Sequence, residues 1–113
     1  MPIQKQSGGL DPAKSVRLAD LVEYQPGSIV SRTLVQKTVG SLTLFAFDEG
    51  QGLSEHSAPF DAYVTVQDGI GELVIGGVAV SCATGETVLM PANIPHAVNA
   101  RQRFKMLLTM IRG

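Results

Sequence analysis

Apolar and polar positions change places at every second residue through much of this chain. Ile29, Ser31, Thr33 and Val35 fall on one side of an extended segment, and Val30, Arg32 and Leu34 on the other. A period of two, rich in β-branched side chains, predicts a strand, because successive side chains of an extended backbone point to opposite faces. Ser41 to Phe47 repeats the pattern, with Leu42, Leu44 and Ala46 opposite Thr43, Phe45 and Phe47. Tyr63 to Gln67 reads as a third strand. Glu72 to Ile75 and Val78 to Ser81, joined by Gly76-Gly77, make the clearest hairpin. Thr87 to Met90 runs into Pro91, and a further strand begins near His96. Phe104 to Ile111 is apolar except at Lys105 and Thr109, and its length and bounded ends predict a buried strand.

Between these segments stand turn residues: Gln25-Pro26-Gly27-Ser28, Thr38-Val39-Gly40, Asp48 to Gly52, Asp68-Gly69 and Thr84-Gly85. Upstream the pattern fades. Met1 to Gly9 has no periodicity and reads as a loose arm. Asp11-Pro12 can open a helical turn, and Val16 to Leu21 is expected to be an early strand. The expected organisation is a flexible arm over residues 1–12, followed by a single domain over 13–113. Eight to ten short strands with no long helix argue an all-β sandwich or barrel. Closing such a sheet removes its exposed edges and encloses a cavity.

Composition narrows the function. A chain of 113 residues holds one domain and one core. Nine basic against ten acidic residues leave no basic field for a phosphate backbone, so no nucleic-acid partner is expected. No apolar stretch is long enough to span a bilayer, and the N-terminus lacks the basic-then-apolar order of a signal peptide. Cys82 is the only cysteine and has no partner for an internal disulfide, which fits a reducing, cytoplasmic setting. Its small neighbours suggest a buried, inert thiol.

Only two histidines occur, His56 and His96, each beside a Pro-containing turn. Their surroundings carry a spacing. Gly50, His56, Ala58, Ala62 and Gly69 stand where one pattern has Gly, His, His, Glu and Gly. Gly85, Pro91, Asn93, His96 and Ala100 stand where a second has Gly, Pro, Gly, His and Asn. On these residues the chain, over roughly residues 40 to 111, resembles the small single-domain members of the cupin superfamily. The resemblance implies a double-stranded β-helix, the RmlC-like jelly-roll barrel, with His56 and His96 facing its interior. It also implies a homodimer.

Metal-binding cupins hold a divalent ion such as Fe, Mn, Ni or Zn on three histidines and a glutamate. Here Ala58 and Ala62 replace two of those four, and a methyl group cannot coordinate. Glu55 and Asp61 lie one residue away from ligand positions, where strand alternation points them to the opposite face. Two imidazoles alone fall short of a two-His, one-carboxylate site. The pocket expected from sequence is therefore His56, His96, Ala58 and Ala62, with His56 and His96 the ligands of any divalent metal. Tyr63, beside Ala62, should point away. Met90, Met106 and Met110 are expected to fill the core or the cavity wall. Two function classes follow: a cupin that binds a small molecule near His56 and His96, and a metal-dependent oxygenase, isomerase or decarboxylase built on an incomplete site.

Overall fold

A computed structural model describes residues 3–6 and 8–112. Among them nine strands form two facing, curled sheets. The strands are β1 (Ile3–Gln6), β2 (Ile29–Lys37), β3 (Gly40–Phe47), β4 (Gly52–His56), β5 (Ala62–Ile75), β6 (Val78–Ala83), β7 (Thr87–Met90), β8 (His96–Asn99) and β9 (Phe104–Ile111). The first sheet runs β1-β2-β3-β9-β5-β7, and the second runs β4-β8-β5-β6. All pairs are antiparallel except β1 with β2. No described helix is long and apolar enough to cross a membrane.

β5 belongs to both sheets. Its first half pairs with β9 and β7, and its second half with β8 and β6. The expected turn at Asp68-Gly69 is not a turn. The strand continues through it, with a register shift between Val66 and Asp68 and a left-handed φ of 75° at Gly69. A bulge with glycine at its kink bends one strand from sheet to sheet without a break, and its local residues look like those of a hairpin. Two residues on, Gly71 lies under the Phe104 ring, where an added Cβ would meet a ring carbon at 2.5 Å. Phe104 in turn stacks on Phe47 with ring centres 4.8 Å apart. The crossing thus rests on an aromatic pair that excludes any side chain at position 71.

Alternation sorts the apolar residues into two clusters. Phe45, Phe47, Val64, Val66, Leu73, Val98, Phe104 and Met106 point between the sheets and form the interior. Val30, Leu34, Leu44 and Ala46 point outward from the first sheet, and Val22 covers them together with Leu18, Leu21 and Tyr24. The strand expected over Val16 to Leu21 is instead a 3-10 turn, Leu18–Leu21. Leu18, Leu21 and Val22 are spaced by three and four, which is a helical stripe rather than a strand alternation. Lys105 Nζ donates to Ala19 O at 2.6 Å, and Arg32 Nη1 donates to Leu21 O at 3.2 Å, fastening the segment down.

The arm expected over residues 1–12 is partly ordered. Ile3–Gln6 pairs parallel to β2, and Ile3 packs on the interior cluster. Arg32 Nε donates to Gly8 O at 2.9 Å. Residues 1, 2 and 7 of that arm, and Gly113, lie outside the described residues.

Candidate functional site

His56 ends β4 and His96 begins β8, and the two are direct partners in that antiparallel ladder. Cross-strand partners share a face, so both imidazoles look the same way. Their ring centres are 4.5 Å apart and their planes meet at 72°. His96 is buried, with 6% of its surface exposed, whereas His56 is exposed at the cavity mouth. The ladder is irregular between Leu53 and His56, and that irregularity sets the His56 ring beside His96.

Each ring makes the same local hydrogen bond. His56 Nδ1 lies 2.9 Å from Ser54 O, and His96 Nδ1 lies 3.2 Å from Ile94 O. A carbonyl oxygen only accepts, so each Nδ1 carries the proton in the neutral ring. The lone pair of each imidazole is therefore on Nε2. Burial pushes the His96 pKa below the ordinary imidazole value, and the neighbouring His56 ring pushes the same way, against the Ile94 hydrogen bond. Both effects favour the neutral His96 ring, whose lone pair is on Nε2.

The rings close one side of a cavity of about 50 Å³. Leu53, Ala58 and Val98 surround them, and Ala62, Met90, Met106, Leu108 and Met110 line it as well. Ala62 pairs with Met90 on one side and with Met110 on the other, so the two thioethers flank its methyl group. All four pocket residues expected from sequence, His56, His96, Ala58 and Ala62, line this cavity. Val98 was within reach of the pattern, two residues beyond His96 on the same strand face. Leu53 was not, because the irregular register of β4 breaks the alternation back from His56.

The neighbours considered as substitute ligands sit elsewhere. Asp61 accepts the Ala92 N–H at 2.9 Å through Oδ1 and lines an outer groove. Together with Asn93 N–H donating to Ala58 O at 2.7 Å, it clasps the two histidine-bearing loops. Asn93 takes a left-handed φ of 65°, at the position where the resemblance has glycine. Asn99 donates to Glu72 at 3.1 Å, and Arg101 Nε pairs with the same carboxylate at 2.6 Å. Glu55 does not line the cavity. Among the described residues no group of three His, Cys, Asp or Glu side chains is arranged to hold a metal ion. The donor set in the barrel, two imidazoles with methyl groups and thioethers, does not fit the divalent ion of metal-binding cupins.

A larger hollow, about 500 Å³, lies outside the barrel between Pro59, Phe60, Asp61, Tyr63, Ala92, Ile111 and Arg112. It is an open groove that contains neither histidine. The interior cavity is smaller but less open, and it gathers both imidazoles of the chain. Tyr63 faces the groove and not the cavity. Cys82 is fully buried away from both, its Sγ donating to Glu86 O at 3.3 Å, and burial pushes its thiol pKa up.

Comparison with known proteins agrees with this architecture. The model of the cupin domain matches residues 43–111. A conserved protein of unknown function from Streptococcus pyogenes is 38% identical over 94% of this chain and 93% of that one, with a TM-score of 0.89. A Cupin 2 conserved barrel domain protein from Leptotrichia buccalis is 46% identical with a TM-score of 0.80. That match covers 82% of this chain and 45% of the Leptotrichia chain. A salicylate 1,2-dioxygenase from Pseudoaminobacter salicylatoxidans is 13% identical, covering 74% of this chain and 26% of that one with a TM-score of 0.68, which is a likeness of fold alone. No protein of curated function matches.

Proposed function

The chain belongs to the cupin family, and from there we propose that it binds a small ligand inside the barrel, between His56 and His96 and the wall that faces them. The observation that carries this reading is the pair of Nδ1–H bonds to Ser54 O and Ile94 O. They leave two adjacent Nε2 lone pairs beside an apolar, enclosed space. Such a site receives a group that donates hydrogen bonds or carries positive charge. A cavity of about 50 Å³ admits an ion or a molecule of a few heavy atoms. A longer ligand would leave through the mouth past the exposed His56.

The alternative, an oxygenase, isomerase or decarboxylase that uses a divalent metal, would need a third protein ligand that the described lining does not contain. A reducing, cytoplasmic setting accompanies the binding reading and is supported by the free, buried Cys82. Homodimer formation belongs to it too. Its support is the exposed Leu89 beside Tyr63 on β7 and the exposed Ile111 at the rim of the outer groove. Sedimentation at micromolar concentration should then give twice the chain mass.

The direct test is a screen of small amines, alcohols and ions against chain carrying ¹³C-labelled Met methyl groups and ¹⁵N-labelled imidazoles. A ligand of this site shifts His56, His96 and the Met90, Met106 and Met110 methyl signals together. A molecule that binds the chain yet leaves all of these signals unmoved would place the site outside the barrel.

A further inference from the structure

We propose that the loops 57–61 and 91–95 form a clasp that opens locally to give access to the interior cavity, with Asp61 as the positioning residue that keeps it shut. The proposal rests on the binding reading above and describes how that site is reached.

The topology puts both loops across the same gap. Residues 57–61 carry the chain from β4 in the second sheet to the first half of β5 in the first sheet. Residues 91–95 carry it back from β7 in the first sheet to β8 in the second. Within 57–61 the inner and outer sides are one residue apart. Ala58 lines the interior cavity, and Pro59, Phe60 and Asp61 line the outer groove with Ala92. The pair of loops is therefore a thin boundary between the cavity and the outside.

Something must move for a ligand to reach the His96 side. That ring is 6% exposed, and the cavity holds only about 50 Å³. The other boundaries are better supported. β5, β8 and β9 are paired on both sides. β7 is an outer strand, but its ladder with β5 runs unbroken from Ala62↔Met90 to Thr65↔Thr87. The ladder of β4 with β8, by contrast, is interrupted between Leu53 and His56, where the first loop begins. No residue of either loop belongs to the interior apolar cluster. Among the described residues only two hydrogen bonds join the loops, Asn93 N–H to Ala58 O at 2.7 Å and Ala92 N–H to Asp61 Oδ1 at 2.9 Å. Segments with few buried apolar contacts and few tertiary hydrogen bonds are the ones that open locally, well before the fold does.

The two bonds have different parts. Asp61 holds the turn at Ala92, and that turn aims the next N–H, of Asn93, at Ala58 O. Asn93 meets it with a left-handed φ of 65°, a conformation that asparagine tolerates better than alanine does. Asp61 thus acts through Asn93 on the residue that borders the cavity.

The test labels the full chain sub-stoichiometrically with diethyl pyrocarbonate, which attacks the unprotonated imidazole, and reads His56 and His96 separately by peptide mass spectrometry. In the parent, the buried His96 should react at least ~10-fold more slowly than the exposed His56, at a rate that low urea leaves unchanged. Asp61→Ala should speed His96 at least ~5-fold and leave His56 alone. Hydrogen exchange of the Asn93 N–H should rise by the same factor, although its own acceptor is untouched. Asp61→Asn keeps an oxygen acceptor and should stay within ~2-fold of the parent. Asn93→Ala, acting from the opposite loop, should speed His96 at least ~3-fold.

An unchanged His96 rate in Asp61→Ala would overturn the proposal, and so would a His96 rate that climbs with urea as steeply as global unfolding does. If the clasp variants behave as expected while no amine, alcohol or ion shifts the labelled histidine and methionine signals, the local opening stands and the binding reading falls. If small molecules shift those signals while Asp61→Ala leaves the His96 rate unchanged, the binding reading stands and the clasp falls.

Discussion

The two walls of the cavity differ in chemistry and in how firmly they are held. The wall from β4 and β8 presents two imidazoles. The wall from β5, β7 and β9 presents Ala62, Met90, Met106, Leu108 and Met110. Ala62 sits in the middle of its sheet, bonded through the ladder to a strand on each side. His96 is also flanked on both sides, by His56 on β4 and Ile75 on β5. His56 has one neighbour only, on an outer strand whose register is irregular. Polarity therefore rises, and support falls, from the methyl wall through His96 to His56. The lesson is that a barrel can keep its shape while one wall loses its charged ligands. The scaffold around Ala62 does not need a carboxylate, and the imidazoles opposite remain in place on the cavity wall.

The most disruptive way to test the contrast is to make the walls alike. Ala62→Glu puts a carboxylate opposite His56 and His96, creating a two-His, one-carboxylate set. Zinc(II) affinity should rise at least ~100-fold over the parent chain, read by competition with a chromophoric chelator. Without metal, the same variant should lose about 2 to 4 kcal/mol in urea unfolding, because an unpaired carboxylate is then buried where Ala62 is only 3% exposed. Saturating zinc should restore much of that loss by binding the folded state alone. A variant that gains no zinc affinity would show that the rings cannot share a cation with position 62.

How far this contrast could be read in advance varies from residue to residue. The strands around the site were legible where burial alternates, as in β5, where Val64 and Val66 are buried and Tyr63, Thr65 and Gln67 between and beside them are only half-buried. Both histidines were legible through their spacing from glycine and proline. β5 was not, since Asp68-Gly69 is equally at home in a hairpin turn and in the bulge that carries a strand between sheets. The 3-10 turn was missed because Leu18, Leu21 and Val22 amount to a single helical turn, too short to establish a period. The tautomers could not be read at all. They depend on Ser54 O and Ile94 O curling back to Nδ1, a property of backbone path and not of residue type.

Unequal support along the polar wall has a measurable consequence. His96→Ala empties a buried ring position and should cost about 2 to 3 kcal/mol in urea unfolding. His56→Ala removes an exposed ring from an outer strand and should stay within ~0.5 kcal/mol of the parent. Equal losses would mean that His56 is locked into the interior. Asp61→Ala tests the clasp outside the cavity. Losing the acceptor for Ala92 N–H should cost about 1 kcal/mol while leaving zinc(II) affinity unchanged. A fall in metal affinity with that variant would return Asp61 to the ligand set.

The finest probe of the polar wall is pH. In the unfolded chain the His96 ring titrates at its ordinary value near 6.5. In the folded barrel its pKa is lower, through burial first and the His56 ring second. Between the two values the unfolded state binds a proton that the folded state does not, so stability rises with pH there. The contribution is fully present above the unfolded value and is lost as pH falls through the folded one. Thermal unfolding from pH 7.5 down to pH 5 should therefore show a falling Tm. His96→Asn should flatten that fall, because it removes the titrating ring but keeps a polar side chain. Parallel curves for the parent and the variant would put the His96 ring in water, and the buried half of the imidazole wall would then be no different from the exposed half.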